Sequence, residues 1–586
     1  MKFKITIQKI IWAFVFWQFI SVGLMAVGTW PPQVAMVNAA LIAVFILVAS
    51  PMYSALLLIL SIPFFVILPN PVLANLPMWR PLFALLFVVW LVRLIISQRS
   101  RLLKTFSIQH WHSQKPLSAA TLQQTIPRAM KRINSHLFAW DKVAVIFLIL
   151  TFCSLLIARF PVHGLKQILF LINVYLFYLV IINSFREEAK LKLLIRYTRY
   201  SLMIIVALGF LQYFSTLFSL PYYFWQYWAT MVSSLYYGVP LGNVLSYSNS
   251  WFADAGGSQA LRMFGILQDT HAFGVMCVFL LAFLVPFAGF AKSTGESVKQ
   301  KILQQKYWLI LIFLTAFGIM ASGTRGVWAS LLIPLAIAVF GYFRNVPLKP
   351  FFKNLLIIYA VIVALFVVSP FISKGLNLIR TYDVKDDFLN RASSIYDLSE
   401  SSNVGRIEIW KNSVKFASTH PFGVGYGNFI TSIVLRIPER ATFEQVSAMK
   451  NLRYNLPQGF ITAHSLYLQL LVELGFAGLL AFGLFWWEYF EQLWLFVKTH
   501  TNNMTIYTAL ALSLGLAFVW LLAYGIFDVT ILNDRVLQYL FILLAISGLI
   551  FKKYDLFKEP HSEGPLEQIV EDESEDSANN AIIRKI

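Results

Sequence analysis

Long apolar stretches separated by short polar ones run along almost the whole chain. A bilayer crossing needs about 20 predominantly apolar residues. On that measure the pattern predicts spans near 10–28, 33–50, 52–69, 79–97, 142–160, 166–184, 200–219, 266–291, 307–323, 326–343, 353–372, 465–487, 505–524 and 535–551. The expected fold class is an all-α polytopic membrane protein with about 14 transmembrane helices. An outer-membrane barrel would instead show short segments of alternating polarity. The first apolar run follows Lys2, Lys4 and Lys9. It is long for a signal peptide and lacks a small-x-small cleavage site, so it reads as a retained first helix.

The polar segments add orientation. Loops 98–141, 185–199, 292–306 and 344–352 fall on one side and are basic, with Arg128, Lys131 and Arg132 in the first and Arg186, Lys190, Lys192, Arg196 and Arg199 in the second. Short loops on the other side carry little more than Arg80, Arg159, Lys166, Arg325 and Arg535. The positive-inside bias then puts both termini in the cytoplasm. Two outward segments are long: 220–262, rich in Tyr, Trp and Ser, and 373–463, long enough for a small subdomain. In the latter, Ile407, Trp410, Val414 and Ala417 follow helical spacing up to His420-Pro421, predicting an amphipathic helix on the membrane or capping the bundle. The expected division is 1–219 and 220–372 as membrane helices, 373–463 as an extracytoplasmic loop, 464–551 as the last helices, and 552–586 as a tail. The tail's Glu571, Asp572, Glu573, Glu575 and Asp576 read as a solvated, disordered cytoplasmic run.

Composition agrees: of 586 residues 58% are hydrophobic and 13% charged, with a mean hydropathy of +0.68, against about 25% charged in soluble domains. The net charge of +19 follows membrane topology, so no nucleic-acid partner is expected. Cys153 and Cys277 both fall in apolar spans, which leaves no disulfide framework and no cysteine metal site.

A few polar motifs break the outward side. Arg325 sits in Ser322-Gly323-Thr324-Arg325-Gly326, a tight turn whose glycines admit close neighbours. Its guanidinium can hold a phosphate through two donors; the plainer role is a headgroup anchor. Arg262 in Leu261-Arg262-Met263-Phe264-Gly265 precedes Asp269 and His271 at the start of a helix, where an anion is favoured; an Arg262–Asp269 ion pair is the alternative. Arg406 opens the amphipathic helix. Gly423-Val424-Gly425-Tyr426-Gly427 lacks the spacing of a nucleotide fingerprint and reads as a turn. His464 precedes the 465–487 span, where an imidazole could take a proton near neutral pH. Glu473 is an intramembrane carboxylate, a functional candidate by position, with helix locking by a hydrogen bond as the structural reading. The aromatics Tyr222, Tyr223, Trp225, Tyr227, Trp228, Tyr236, Tyr237 and Trp251 suit sugar stacking or an interfacial belt.

Taken in order, LRMFGILQDTHAFG, SGTRGVWASLL, GRIEIWKNSVKFASTHPFGVGYGNF and AHSLYLQLLVELGFAGLL, over roughly residues 260–490, resemble the O-antigen ligase and O-antigen polymerase superfamily of bacterial membrane proteins. The resemblance implies a GT-C-like helical fold with one large outward loop. It implies transfer of a glycan from an undecaprenyl-diphosphate carrier to a hydroxyl of a glycan, lipid or protein acceptor. The reaction would be inverting, at the outer face of the inner membrane, with no nucleotide sugar, cofactor or required metal. Arg262, Arg325 and Arg406 match the family's diphosphate-engaging arginines and His464 its essential histidine; Asp269 and Glu473 would support them. Where the family commonly has Asp-Pro-Asn, this chain has Asp269-Thr270-His271, and Ser465 stands where Asn follows the histidine. A transporter of an inorganic anion or a lipid-linked glycan is the alternative from another class; it would place ionisable groups near the membrane midplane. An envelope scaffold is a third, which would not need ordered Arg and His motifs on one side.

Overall fold

The computed structural model describes residues 6–69, 76–106, 137–239, 251–255, 258–290, 298–344, 348–381, 388–393, 395, 397, 401–429, 462–500 and 505–555. The expected basic residues Arg128, Lys131 and Arg132, the acidic tail run, and parts of both long outward segments lie outside the described residues. Each predicted span falls on a helix, so the chain is an all-α polytopic protein. Nine described helices are long and apolar enough to cross a membrane, and Val34–Val48, Pro51–Phe64, Thr270–Pro286 and Lys306–Ala321 are shorter apolar ones. The described strands form two short antiparallel pairs, Ile67–Leu68 with Leu76–Pro77 and Phe252–Ala255 with Ser258–Leu261.

Boundaries depart from the hydropathy reading where backbone chemistry intervenes. The expected span 52–69 is a helix over Pro51–Ser61 followed by a 3-10 turn at Ile62–Phe64, where Pro63 cannot donate to the helical ladder. The expected span 326–343 divides at Leu331 into Arg325–Ser330 and Leu332–Phe343. Leu466–His500 is broken at Gly475, whose φ is 65°.

The helices Thr270–Phe290, Ile506–Tyr524 and Asp534–Asp555 occupy the centre, with Phe273, Met276, Phe518, Ile542 and Ile546 fully enclosed. Peripheral helices such as Ile7–Ala26 and Val34–Val48 expose Phe16, Val37 and Val44, as expected where lipid is the solvent. Small residues bring central helices close: Gly209 lies under the Phe273 ring and Gly548 under Phe138.

The predicted amphipathic helix is present over Ser401–Thr419, but its buried face differs. Ile409 (2% exposed), Ser413 (0%) and Ala417 (3%) face inward, while Val414 is 55% exposed. Ile407, Trp410 and Ile409 all lie on adjacent faces, and the small Ser413 lets the row at 409, 413 and 417 approach most closely. Ile409 meets Phe429, Ala463 and Val472 there, so this helix caps the bundle.

Candidate functional site at one end of the bundle

The Arg262 loop is held by a glutamine. Gln212, fully buried near the end of Glu188–Ser215, donates from Nε2 to the Arg262 carbonyl (3.3 Å) and accepts at Oε1 from Phe264 and Gly265 N–H (3.0 and 3.1 Å). Met263 N–H then donates to Ala321 O (3.0 Å), which places Arg262 beside the Arg325 turn. Gly323 has φ +62°, and a Cβ there would sit 3.0 Å from Arg262 Cδ. Glycine is required here both by conformation and by the overlying arginine. Arg391, on the short Phe388–Ser393 helix, donates from Nε to Gly323 O (2.8 Å). Thr324 Oγ1 donates to Thr270 Oγ1 (3.1 Å), tying the turn to the Asp269–His271 segment.

Arg325 begins the next helix. Its neighbour Gly326 packs on Tyr524 and Phe527, at 3.0 and 3.2 Å from a Cβ built there, and Trp520 Nε1 donates to Val327 O (3.2 Å). The Arg325 turn therefore rests on the segment that carries Asp528. His271 Nδ1 lies 2.6 Å from Asp528 Oδ2 and 2.6 Å from Tyr524 Oη; the His271 and Asp528 side chains are only 15% and 13% exposed. Burial works against the Asp528 charge, yet His271, His464 and Arg406 outweigh it and hold its carboxyl well below the usual carboxylate range. Asp269 goes the other way. Burial raises its carboxyl, opposed by His271 and reinforced by the Asp528 charge. Its Oδ1 accepts from Ala272 N–H (2.7 Å), an N-cap for Thr270–Phe290, and not an ion pair with Arg262.

His464 is the one described non-glycine residue with a positive φ, at 46°. A left-handed conformation costs about 1–2 kcal/mol for most residues and persists where surroundings over-determine it. Here Trp410 Nε1 donates to Ala463 O (3.1 Å), Ala463 N–H to Gln469 Oε1 (3.0 Å), and Leu466 N–H to Gly525 O (2.7 Å). The amphipathic helix, the Leu466–His500 helix and the 525–533 segment thus all clamp the residue.

Glu473 is fully enclosed and turned away from this cluster. Its Oε1 accepts from Gln469 Nε2 (2.7 Å) and Phe429 N–H (3.2 Å), and its carbonyl accepts from Gly425 N–H (3.0 Å). Its neighbours give it the locking role. Tyr426 N–H reaches Ser154 Oγ (3.0 Å), and Asn428 Oδ1 accepts from Phe160 N–H (2.9 Å), so the glycine-rich turn joins three elements. Gly423→Ala is expected to destabilise the fold by several kcal/mol, since φ is +79° and a Cβ would lie 2.5 Å from Glu473 O. Thermal unfolding of the purified variant in detergent checks this; an unchanged midpoint would refute the packing described.

Arg406 and His464 therefore act on Asp528, the Arg325 turn packs on Tyr524 through Gly326, and Arg262 lies against Gly323 of that turn; Glu473 bonds elsewhere. Gln212, Arg391, Tyr524 and Asp528 escaped the sequence reading. Asp528, an acidic residue in a short polar segment between the last two spans, was the one signal available for them. Of the aromatics, Trp251 is buried against Phe264 (centroids 4.7 Å) and Tyr236 and Tyr237 bond to Pro63 O and Ile266 O, whereas Tyr222 and Tyr223 are exposed. Arg535 is buried, donating to Tyr237 Oη and Phe65 O (2.7 Å each), and serves the packing. Among the described residues no three His, Cys, Asp or Glu side chains are grouped to hold a metal ion.

These features define a polytopic helical membrane protein with an arginine- and histidine-lined polar cluster at one end of its bundle. Residues 310–483 match the family model described as O-antigen ligase (Wzy_C). That stretch contains Arg325, Arg406, His464 and Glu473; Arg262, His271 and Asp528 lie beyond it. No curated protein matches the chain.

Proposed function

We propose that the protein is an inverting, metal-independent glycosyltransferase of the O-antigen ligase or polymerase type, GT-C-like in fold. It transfers a glycan from undecaprenyl diphosphate to an acceptor hydroxyl at the outer face of the bacterial inner membrane. The observation that supports the reading is the Asp528 carboxylate held by His271 and acted on by His464 and Arg406, beside the turn that carries Arg325 and overlies Arg262. This cluster lies at the bundle end opposite Arg186, Lys190 and Lys192, which suits an extracytoplasmic site with the termini inside.

In the transfer, the acceptor oxygen attacks the anomeric carbon as the bond to the diphosphate oxygen breaks. The bond's electron pair goes to the diphosphate, and the acceptor's proton goes to the His464 imidazole. The arginines stabilise the charge that grows on the leaving group; preorganised donors of this kind act without reorganisation during the reaction.

The test uses purified protein with undecaprenyl-diphosphate-linked glycan and acceptor extracted from native membranes, following release of undecaprenyl diphosphate by mass spectrometry. Arg325→Ala is expected to slow release by about 10²–10³, with Arg325→Lys recovering part of it. Full turnover by Arg325→Ala, or no release by the wild-type protein, would overturn the reading. A gel of the products separates a ladder, made by a polymerase, from one shifted acceptor, made by a ligase.

A further inference from the structure

We propose that His271 is a positioning residue for the transfer step, holding the Asp528 carboxylate from which charge acts on His464 and Arg406. The inference rests on the reading of His464 as proton acceptor given above. Three observations carry it. An ionised carboxylate can only accept, so the 2.6 Å contact with Asp528 Oδ2 requires that His271 Nδ1 carry its proton. The Tyr524 hydroxyl meets the same nitrogen at 2.6 Å, so carboxylate and phenol are fixed around one atom. His271 itself stands on the first turn of Thr270–Phe290, a helix capped by Asp269 and enclosed at Ala272, Phe273 and Met276. Asp528 lies just after Tyr524, where its N–H donates to Tyr524 O (3.1 Å) and its Oδ1 accepts from Val529 N–H (2.6 Å), which leaves Oδ2 for His271.

The groups facing this pair are Asp269 on its own segment, Tyr524 on the Ile506–Tyr524 helix, and His464 and Arg406, whose charges also act on Asp528. A carboxylate shared in this way has consequences for His464. With its hydrogen bond to His271 in place, Asp528 has less of its charge left to act on His464. Removing His271 leaves the Asp528 charge to His464 and Arg406.

The experiment compares wild type, His271→Ala and His271→Asn in the release assay across pH 5–9. Asparagine keeps a side-chain N–H donor but cannot titrate. His271→Ala is expected to lower kcat about ten- to a hundredfold, less than the about 10²–10⁴ that the proton transfer itself contributes. KM for the donor lipid should change little, and the acid limb of the kcat profile should move to higher pH. His271→Asn should restore most of kcat and return the limb toward its wild-type position. A wild-type kcat and limb for His271→Ala would overturn the proposal, as would equal losses in both variants with an unmoved limb. Where His271→Ala does not fold, His271→Asn decides: retained kcat supports the role, and a loss beyond about tenfold overturns it. His464→Ala, run alongside, separates the two readings. If that variant is fully active, the proton-acceptor assignment has failed; if it is inactive while His271→Ala is normal, only the positioning role has.

Discussion

Replacing His464 by alanine is expected to reduce turnover by about 10²–10⁴, the range that general-base catalysis supplies, while binding of the donor lipid persists. The residue sits in a left-handed backbone conformation at φ 46°, which alanine tolerates poorly. His464→Asn is therefore the sharper variant, because asparagine accepts this region readily and has no titrating ring. Both variants should lose activity to a similar extent, and His464→Asn should unfold near the wild-type temperature. If His464→Asn turns over at the wild-type rate, the imidazole is not the base. The wild-type kcat should also fall on acidification as His464 becomes protonated, since only the neutral ring can accept the acceptor's proton.

The second large effect is expected for Asp528→Asn, at about 10²–10⁴ in kcat, because its charge supports the imidazole proposed to take the proton. The sign of its pH dependence can be worked out. Asp528 is held below its ordinary range, so its contribution to stability is present above the unfolded carboxylate value of about 3.9. That contribution is lost only as pH drops through the lower folded value. Between pH 5 and 9 the group stays ionised, so a change in rate over that interval is not its titration. Removing its charge makes protonated His464 less favourable, so the acid limb of kcat should shift to lower pH, opposite to the shift expected for His271→Ala. A limb that stays in place in Asp528→Asn would show that the carboxylate does not act on the base.

Much of the fold was legible because each span is an apolar run of helical length, a local property. The breaks at Ile62–Phe64, Leu331 and Gly475 were not, since they depend on proline chemistry and on what packs against the helix. The inward face of the Ser401–Thr419 helix was misjudged by one neighbouring row, because Ser413 is polar yet sits flush against the bundle. Of the proposed site, Arg262, Arg325, Arg406 and His464 were visible as polar residues in short motifs. Gln212 was hidden within an apolar helix and Arg391 in a loop with no distinctive pattern. Tyr524 and Asp528 follow the match to residues 310–483 by some forty positions, and only tertiary folding returns them to His271 and His464.

The stretch from Gly525 to Arg535 is tied at successive points: Gly525 O to Leu466, Asp528 to His271, Asn533 to Gln268, and Arg535 to Tyr237. A ribbon anchored so often cannot change length by even one residue without dragging at least one anchor out of place. Homologous chains should therefore keep its spacing fixed while their sequence drifts, and chimaeras between such chains should leave this stretch uncut.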